Sequence, residues 1–317
     1  MTHRIPLIEL SNTLLQFSDK SVRDLAWAVG SVTISPLAGV ADPLLIPDSF
    51  WSAQFREYEP FLLELDRDPR SLHDFLKSNT KSGKIGERFE LLLLFWLRSR
   101  PSFEVLGQGV QVSRGRNTIG EFDFLLRSPQ GVFHWEVGAK FYLGIPGEDS
   151  FEWRGFDPND TLSTKRETIR TKQLALSLQE ESISLLKEEG IFSLECRYSL
   201  KGAVFLPIAR FQNDALLNIK GEGGKQIRPS GWWCYWSEFP SLSFEGIDRL
   251  AIVDRARWLS PEHYLEEQDS LKIPEFLRKF ASLPIKNRYS FLLSGLKRDR
   301  SGRLREVTRG AVVSSMM

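Results

Sequence analysis

Two successive runs of alternating residues constrain this chain more than any other feature. Gly120-Glu121-Phe122-Asp123-Phe124-Leu125-Leu126 is followed, after a short turn, by Phe133-His134-Trp135-Glu136-Val137-Gly138-Ala139-Lys140. Side chains alternate across a strand, so residues two apart share a face. In the first run Glu121 and Asp123 then point one way, and Phe122, Phe124 and Leu126 the other. In the second, His134, Glu136, Gly138 and Lys140 share the face opposite Trp135, Val137 and Ala139. Paired as a hairpin, the two runs gather several carboxylates, a lysine and a histidine on one small patch.

Alternation alone favours a plain reading of that patch, the solvated face of an antiparallel sheet laced with ion pairs. A second reading takes the crowding as chemistry. Packed carboxylates raise one another's pKa, and a hard divalent cation removes that cost. Such an ion polarises a phosphoryl oxygen and acidifies a bound water, and a lysine beside it stabilises the charge that develops. On this reading Asp123 and Glu136 hold the metal and Lys140 stands at the water. Glu87 and Glu90, one turn apart on the preceding helix, are both placed to lean in. Gly138 favours a site, because a mid-strand glycine weakens a strand unless something must approach closely.

The surrounding chain reads as an α/β layout, a central mixed sheet flanked by helices. Ser21 is expected to cap a helix through Val29, and Pro36, Pro43 and Pro47 to enforce extended chain after it. Short helices are expected over Phe61 to Asp66 and Ser71 to Lys77. Gly86 to Arg98 carries the stripe Phe89, Leu92, Leu93 and Trp96, which predicts a firm helix. Strands are expected at Glu104 to Val112, Ile119 to Leu126 and Val132 to Phe141, joined by turns short enough for an antiparallel meander. A long helix is then expected from Thr161 to Glu189, with Leu174, Leu178, Leu185 and Leu186 inward and Gly190 ending it. Later strands fall at Gly202 to Ala209, Gly231 to Trp236 and Arg249 to Val253, and a helix at Ser270 to Ala281. Gly221 to Lys225 reads as a hairpin turn. Beyond Pro284 the chain is basic and weakly periodic, which suggests a loosely held tail. This divides one domain into a helical region (1–83), a core (84–209), an extension packed on it (210–284) and the tail (285–317).

Composition sets the outer limits. The 317 residues are 41% hydrophobic and 26% charged with a net charge of +1, enough apolar chain for a full core. Cys196 and Cys234 make no disulfide framework or paired metal spacing, and the scattered histidines make no zinc site. The longest apolar run, Leu91 to Leu97, falls short of the roughly 20 residues that span a bilayer. A cytoplasmic protein with no membrane association is expected. No phosphate-binding loop of the nucleotide hydrolases and no Gly-x-Ser-x-Gly elbow occurs. Trp232, Trp233, Tyr235 and Trp236 have the makings of a base-stacking surface, but alternation assigns them to the core.

Beyond these physical readings, the strings Gly86-Glu87-Arg88-Phe89-Glu90-Leu91, Gly120 to Leu126 and His134 to Gly144 resemble the bacterial DUF1853 family. So do Val22-Arg23-Asp24-Leu25-Ala26-Trp27, Pro158 to Leu162 with Lys165 and Gln173, Gly231-Trp232-Trp233 and Arg257-Trp258-Leu259-Ser260-Pro261. The resemblance covers nearly all of the chain up to about Pro284. That family is grouped with the PD-(D/E)XK nucleases, so the resemblance implies a restriction-endonuclease-like core. It implies a hydrolase of phosphodiester bonds in DNA that uses Mg²⁺ or Mn²⁺ at Asp123 and Glu136. Glu90, with Glu87 the alternative, would be the helix acid and a further metal ligand, Lys140 the amine, and Gln173 a supporting helical glutamine. The superfamily lysine falls here on Gly138, which leaves either a migrated amine at Lys140 or an inactive protein that binds nucleic acid or protein.

Overall fold

A computed structural model describes residues 3–5, 12–34, 42–147, 151–157, 159–211, 219–220, 226–227, 229–265, 267–283 and 289–314. The amino-terminal part is helical: α1 (Asn12–Leu15), α2 (Lys20–Gly30), α3 (Asp48–Arg67), α4 (Arg70–Asn79) and α5 (Ile85–Arg98). Asp19, one residue before the start of α2, is its cap and accepts the N–H groups of Ser21 and Val22. The expected cap, Ser21, instead lies inside the helix. The helix expected at Phe61 to Asp66 extends back to Asp48, and Pro60 sits within it. That proline hid its length from a reading in which proline ends helices. Pro36 and the turn at Gly221 to Lys225 lie outside the described residues.

The meander follows as β1 (Glu104–Arg114), β2 (Asn117–Ser128) and β3 (Gly131–Pro146), with a short β4 (Phe151–Arg154) folded back on the end of β3. Each successive pair is antiparallel. The expected long helix is broken into α6 (Leu162–Thr168), a π turn at Ile169–Gln173, a 3₁₀ turn at Leu174–Leu178 and α7 (Glu180–Glu188). Gln179 is extended between the last two, with ψ 144°. Leu174 and Leu186 are buried as expected, whereas the break leaves Leu178 76% exposed. The chain returns in β5 (Glu195–Pro207), parallel to β3 along eleven paired residues from Phe133 to Leu143. A crossover of this kind needs an intervening helical segment, and α6 to α7 supplies it.

After α8 (Ile208–Phe211), the pair β6 (Ile219–Lys220) and β7 (Gln226–Ile227) precedes β8 (Gly231–Tyr235) and β9 (Arg249–Val253). Then come β10 (His263–Leu265), β11 (Leu271–Lys272), α9 (Ile273–Ala281), β12 (Phe291–Arg298) and β13 (Leu304–Val313). The basic carboxyl-terminal segment is therefore not a loose tail. β13 lies between β8 and β12 inside one mixed sheet of order β1-β2-β3-β5-β8-β13-β12-β9-β11. Its charges disguised it. Arg309, 4% exposed, is buried against Glu306 rather than solvated. Trp232, Trp233 and Trp236 are buried too, so they are core and not a stacking surface.

Helices cover both faces of the sheet. On one, α2, α3 and α5 pack over Phe124, Leu126, Trp135, Val137, Ala139 and Phe141. On the other, Leu162, Ile169 and Leu174 pack with Tyr142, Tyr198, Leu200 and Val204. The predicted face of β3 that carries Trp135, Val137 and Ala139 is thus confirmed. β2 differs. Phe124 and Leu126 join the first face, but Phe122 packs on the opposite side with Leu125. The strand turns over at Asp123. There β1 contributes Gly109, between the partners of Phe122 and Phe124, at φ +61°. A left-handed residue in one strand is a local irregularity of the kind that re-aims a side chain.

Candidate functional site

Pairing of β2 with β3 runs from Ser128–Gly131 to Phe124–Trp135 and stops. Asp123 and Glu136 are the next residues on each strand, at the point where the strands part. Asp123 Oδ2 accepts the main-chain N–H of Val137 at 2.9 Å, so this carboxylate fills the gap in the ladder. Glu136 stands beside it and is only 1% exposed. This is no solvated sheet face. Burial first, and then the neighbouring Asp123 carboxylate, raises the pKa of Glu136 far above the ordinary carboxylate range. Burial also raises Asp123, with the Val137 N–H pulling the other way. Two carboxyls this close, one buried and one half-buried, favour holding a proton between them.

Glu90 reaches the same region from α5. Its carboxyl is pushed up to about 7, by burial first and then by the charges of Asp123 and Glu121. Glu87 does not share this role. It accepts the N–H groups of Lys81, Ser82 and Gly83 and the Ser82 hydroxyl, and so pins the loop that leads into α5. Of the two helix acids, Glu90 is the one electrostatically joined to the carboxylate pair. Among the described residues no three His, Cys, Asp or Glu side chains form a ready ligand set, so Asp123, Glu136 and Glu90 do not converge as a triad.

The lysine is where sequence and structure part most clearly. Lys140 shares the expected strand face, but its Nζ is bound to Asp160 Oδ2 at 2.6 Å, and Tyr142 donates to the other Asp160 oxygen at 3.1 Å. A different amine bears on the carboxylates through its charge. Lys165 of α6 draws down the pKa of Asp123, Glu136 and Glu90 alike. Its Nζ donates to Gln173 Oε1 at 2.8 Å, and Gln173 Nε2 donates to Glu136 Oε1. Lys165 and Gln173 are eight residues apart, and the π turn that ends on Gln173 brings its amide round to the strand. π turns inside helices often mark functional positions. The sequence signal for Lys165 was its place in the same family block as Gln173.

Gly138 sits against the next strand. A Cβ there would lie 3.1 Å from Leu200 Cδ1 on β5, so a side chain at this position would press on the next strand. His134 is fully buried, with its ring edge-on to Phe122 at 4.7 Å, and burial pushes its pKa down to about 4.

A cleft of about 700 Å³ has Lys84, Glu90, Lys140, Phe156, Arg255 and Trp258 in its walls; Glu90 lines it, whereas Asp123, Glu136 and Lys165 do not. A separate apolar cavity of about 330 Å³ between α9 and β9 contains none of these residues. Among the described residues no helix is long and apolar enough to cross a membrane.

The model of the family described as a domain of unknown function, DUF1853, matches residues 23–313, and the chain belongs to that family. Neither the curated proteins nor the solved structures yield a match.

Proposed function

We propose that this DUF1853 protein is a metal-dependent nuclease that hydrolyses phosphodiester bonds in DNA. The observation that carries the reading is the pair of half-buried Asp123 and buried Glu136 at the parting of two strands, with Glu136 tied through Gln173 to the amine of Lys165. The order of elements supports it as well. Helix α5, an antiparallel meander, a helical crossover and a strand parallel to the last of the meander is the layout expected of a restriction-endonuclease-like core.

The donor set suits a hard divalent cation. Asp123 and Glu136 offer only oxygen, Glu136 Oε2 is buried without a hydrogen-bond partner, and Mg²⁺ needs only one or two protein carboxylates. When bound, such an ion polarises a phosphoryl oxygen and lowers the pKa of a coordinated water. The chain's own groups do the rest. Asp123 is fixed by the Val137 N–H, and Glu136 is fixed by Gln173. Lys165 brings a positive charge to where the phosphate's negative charge grows in the transition state, in a site largely shielded from water. Glu90, poised near neutrality by its surroundings, is available to exchange a proton on the cleft side. The cleft, with Lys84 and Arg255 on its walls, admits the nucleic-acid backbone.

Purified protein is expected to cleave DNA with Mg²⁺ or Mn²⁺, to stop on chelation, and to lose cleavage by about a thousandfold in Asp123→Ala. Salt-dependent DNA binding without cleavage at any metal concentration would instead identify a nuclease fold that has kept binding and lost turnover.

A further inference from the structure

His134 lies on the same face of β3 as Glu136, two residues earlier, and is fully buried. Neither of its ring nitrogens has a hydrogen-bond partner, and neither has Glu136 Oε2. Buried polar atoms are almost always paired, because burial strips them of water and the loss must be made good. Here the unpaired atoms adjoin. His134 Nε2 lies 3.8 Å from Glu136 Oε2, beyond a hydrogen bond but within a small side-chain rotation of one. Phe122 closes one side of the imidazole, which leaves Glu136 as the carboxylate that faces it. A neutral imidazole has one N–H to give, and each carboxylate oxygen accepts more than one bond.

We propose that His134 is a positioning residue for the metal-holding carboxylate, its Nε2–H donating to Glu136 Oε2 once a divalent cation draws the carboxylate into place. Gln173 holds Oε1 from the helix side and His134 holds Oε2 from within the sheet, so the plane of the carboxylate is fixed from both ends. Each oxygen keeps a lone pair for the ion. Partners of this kind, one step removed from a metal, orient the ligand and raise its affinity. The inference rests on Asp123 and Glu136 holding the cation, as proposed above.

Calorimetric titration of the full chain with Mn²⁺ tests it without reference to cleavage. His134→Phe fills the same apolar space but has no donor, and is expected to weaken Mn²⁺ binding by about 10–100-fold. His134→Gln restores an N–H at similar reach and is expected to bind close to wild type. The unfolding midpoint of each variant checks that it is folded, and His134→Leu replaces the phenylalanine variant if the larger ring is not accommodated. Equal affinity of wild type and the donor-free variant would overturn the proposal. So would equal losses in the donor-free and glutamine variants, since packing would then be the cause. Nitrogen hyperfine coupling to bound Mn²⁺ would also overturn it, by making His134 a ligand. A wild-type chain that binds no Mn²⁺ would overturn the proposed function itself, and this inference with it.

Discussion

Replacing Lys165 by alanine is expected to slow metal-dependent DNA cleavage by about 100–1000-fold, whereas Lys140→Ala is expected to cost less than about tenfold. The contrast comes from where each amine is already engaged. Lys140 is spent on Asp160, at the edge of the cleft. Lys165 acts on all three acids and is linked to Glu136 through a single glutamine. Removing a charge that is preorganised in a poorly hydrated site forfeits an interaction that water cannot replace. Single-turnover cleavage with enzyme in excess over DNA isolates the chemical step. If Lys140→Ala is the more damaging change, the amine belongs on the strand, as the sequence alone suggested.

The largest effect on stability is expected from Asp24→Ala, a loss of about 3–5 kcal/mol. Asp24 is fully buried and stands at the centre of a charge network that ties the amino-terminal helices to the carboxyl-terminal strands. One oxygen accepts the Ser260 hydroxyl at 2.6 Å and the Lys20 amine, and the other accepts Arg88 Nε at 3.0 Å. Burial opposes the charge, yet Lys20 and Arg88 hold the carboxyl below its usual range. Next to it, Arg309 donates to the main-chain oxygens of Trp258 and Ser260 and pairs with Glu306, while Arg257 pairs with Glu262. Removing Asp24 leaves the half-buried Lys20 and Arg88 without their buried carboxylate, which is why the cost exceeds that of a surface ion pair. Urea titration measures it. A change below about 1 kcal/mol would mean that water or rearranged partners make up the loss.

The same network joins two stretches that are distant in the sequence. Arg23-Asp24 on α2 and Arg257 to Pro261 after β9 carry no part of the proposed chemistry, and they meet across the molecule. Arg23 Nε donates to the carbonyl of Pro261 at 2.9 Å.

How far the molecule was legible in its sequence depended on whether local pattern or distant contact decided each feature. The stripe on α5, the three meander strands and the faces of β3 follow from periodicity, and the structure reproduces them. Asp123 and Glu136 were found the same way, as acids at matching places on neighbouring strands. Local pattern failed where a distant contact rules. Phe122 and Phe124 fall on opposite faces at the level where β1 carries a left-handed Gly109. A side chain at Gly138 would press on Leu200, far along the chain, a contact no local pattern reveals. Gln173 links Lys165 to Glu136 at the end of a π turn, and a helical period of 3.6 residues cannot foresee that turn. β13 looked like a solvated basic run because Arg309 and Glu306, three residues apart, neutralise each other inside the sheet.

The central claim is that Asp123 and Glu136 together hold a divalent cation. The most direct test is a crystal of the protein grown with Mn²⁺, examined for anomalous scattering at the manganese edge. A peak within bonding distance of an oxygen from each carboxylate, absent in Asp123→Ala, is the predicted result. No peak at saturating Mn²⁺, or a peak that ignores both carboxylates, would contradict it.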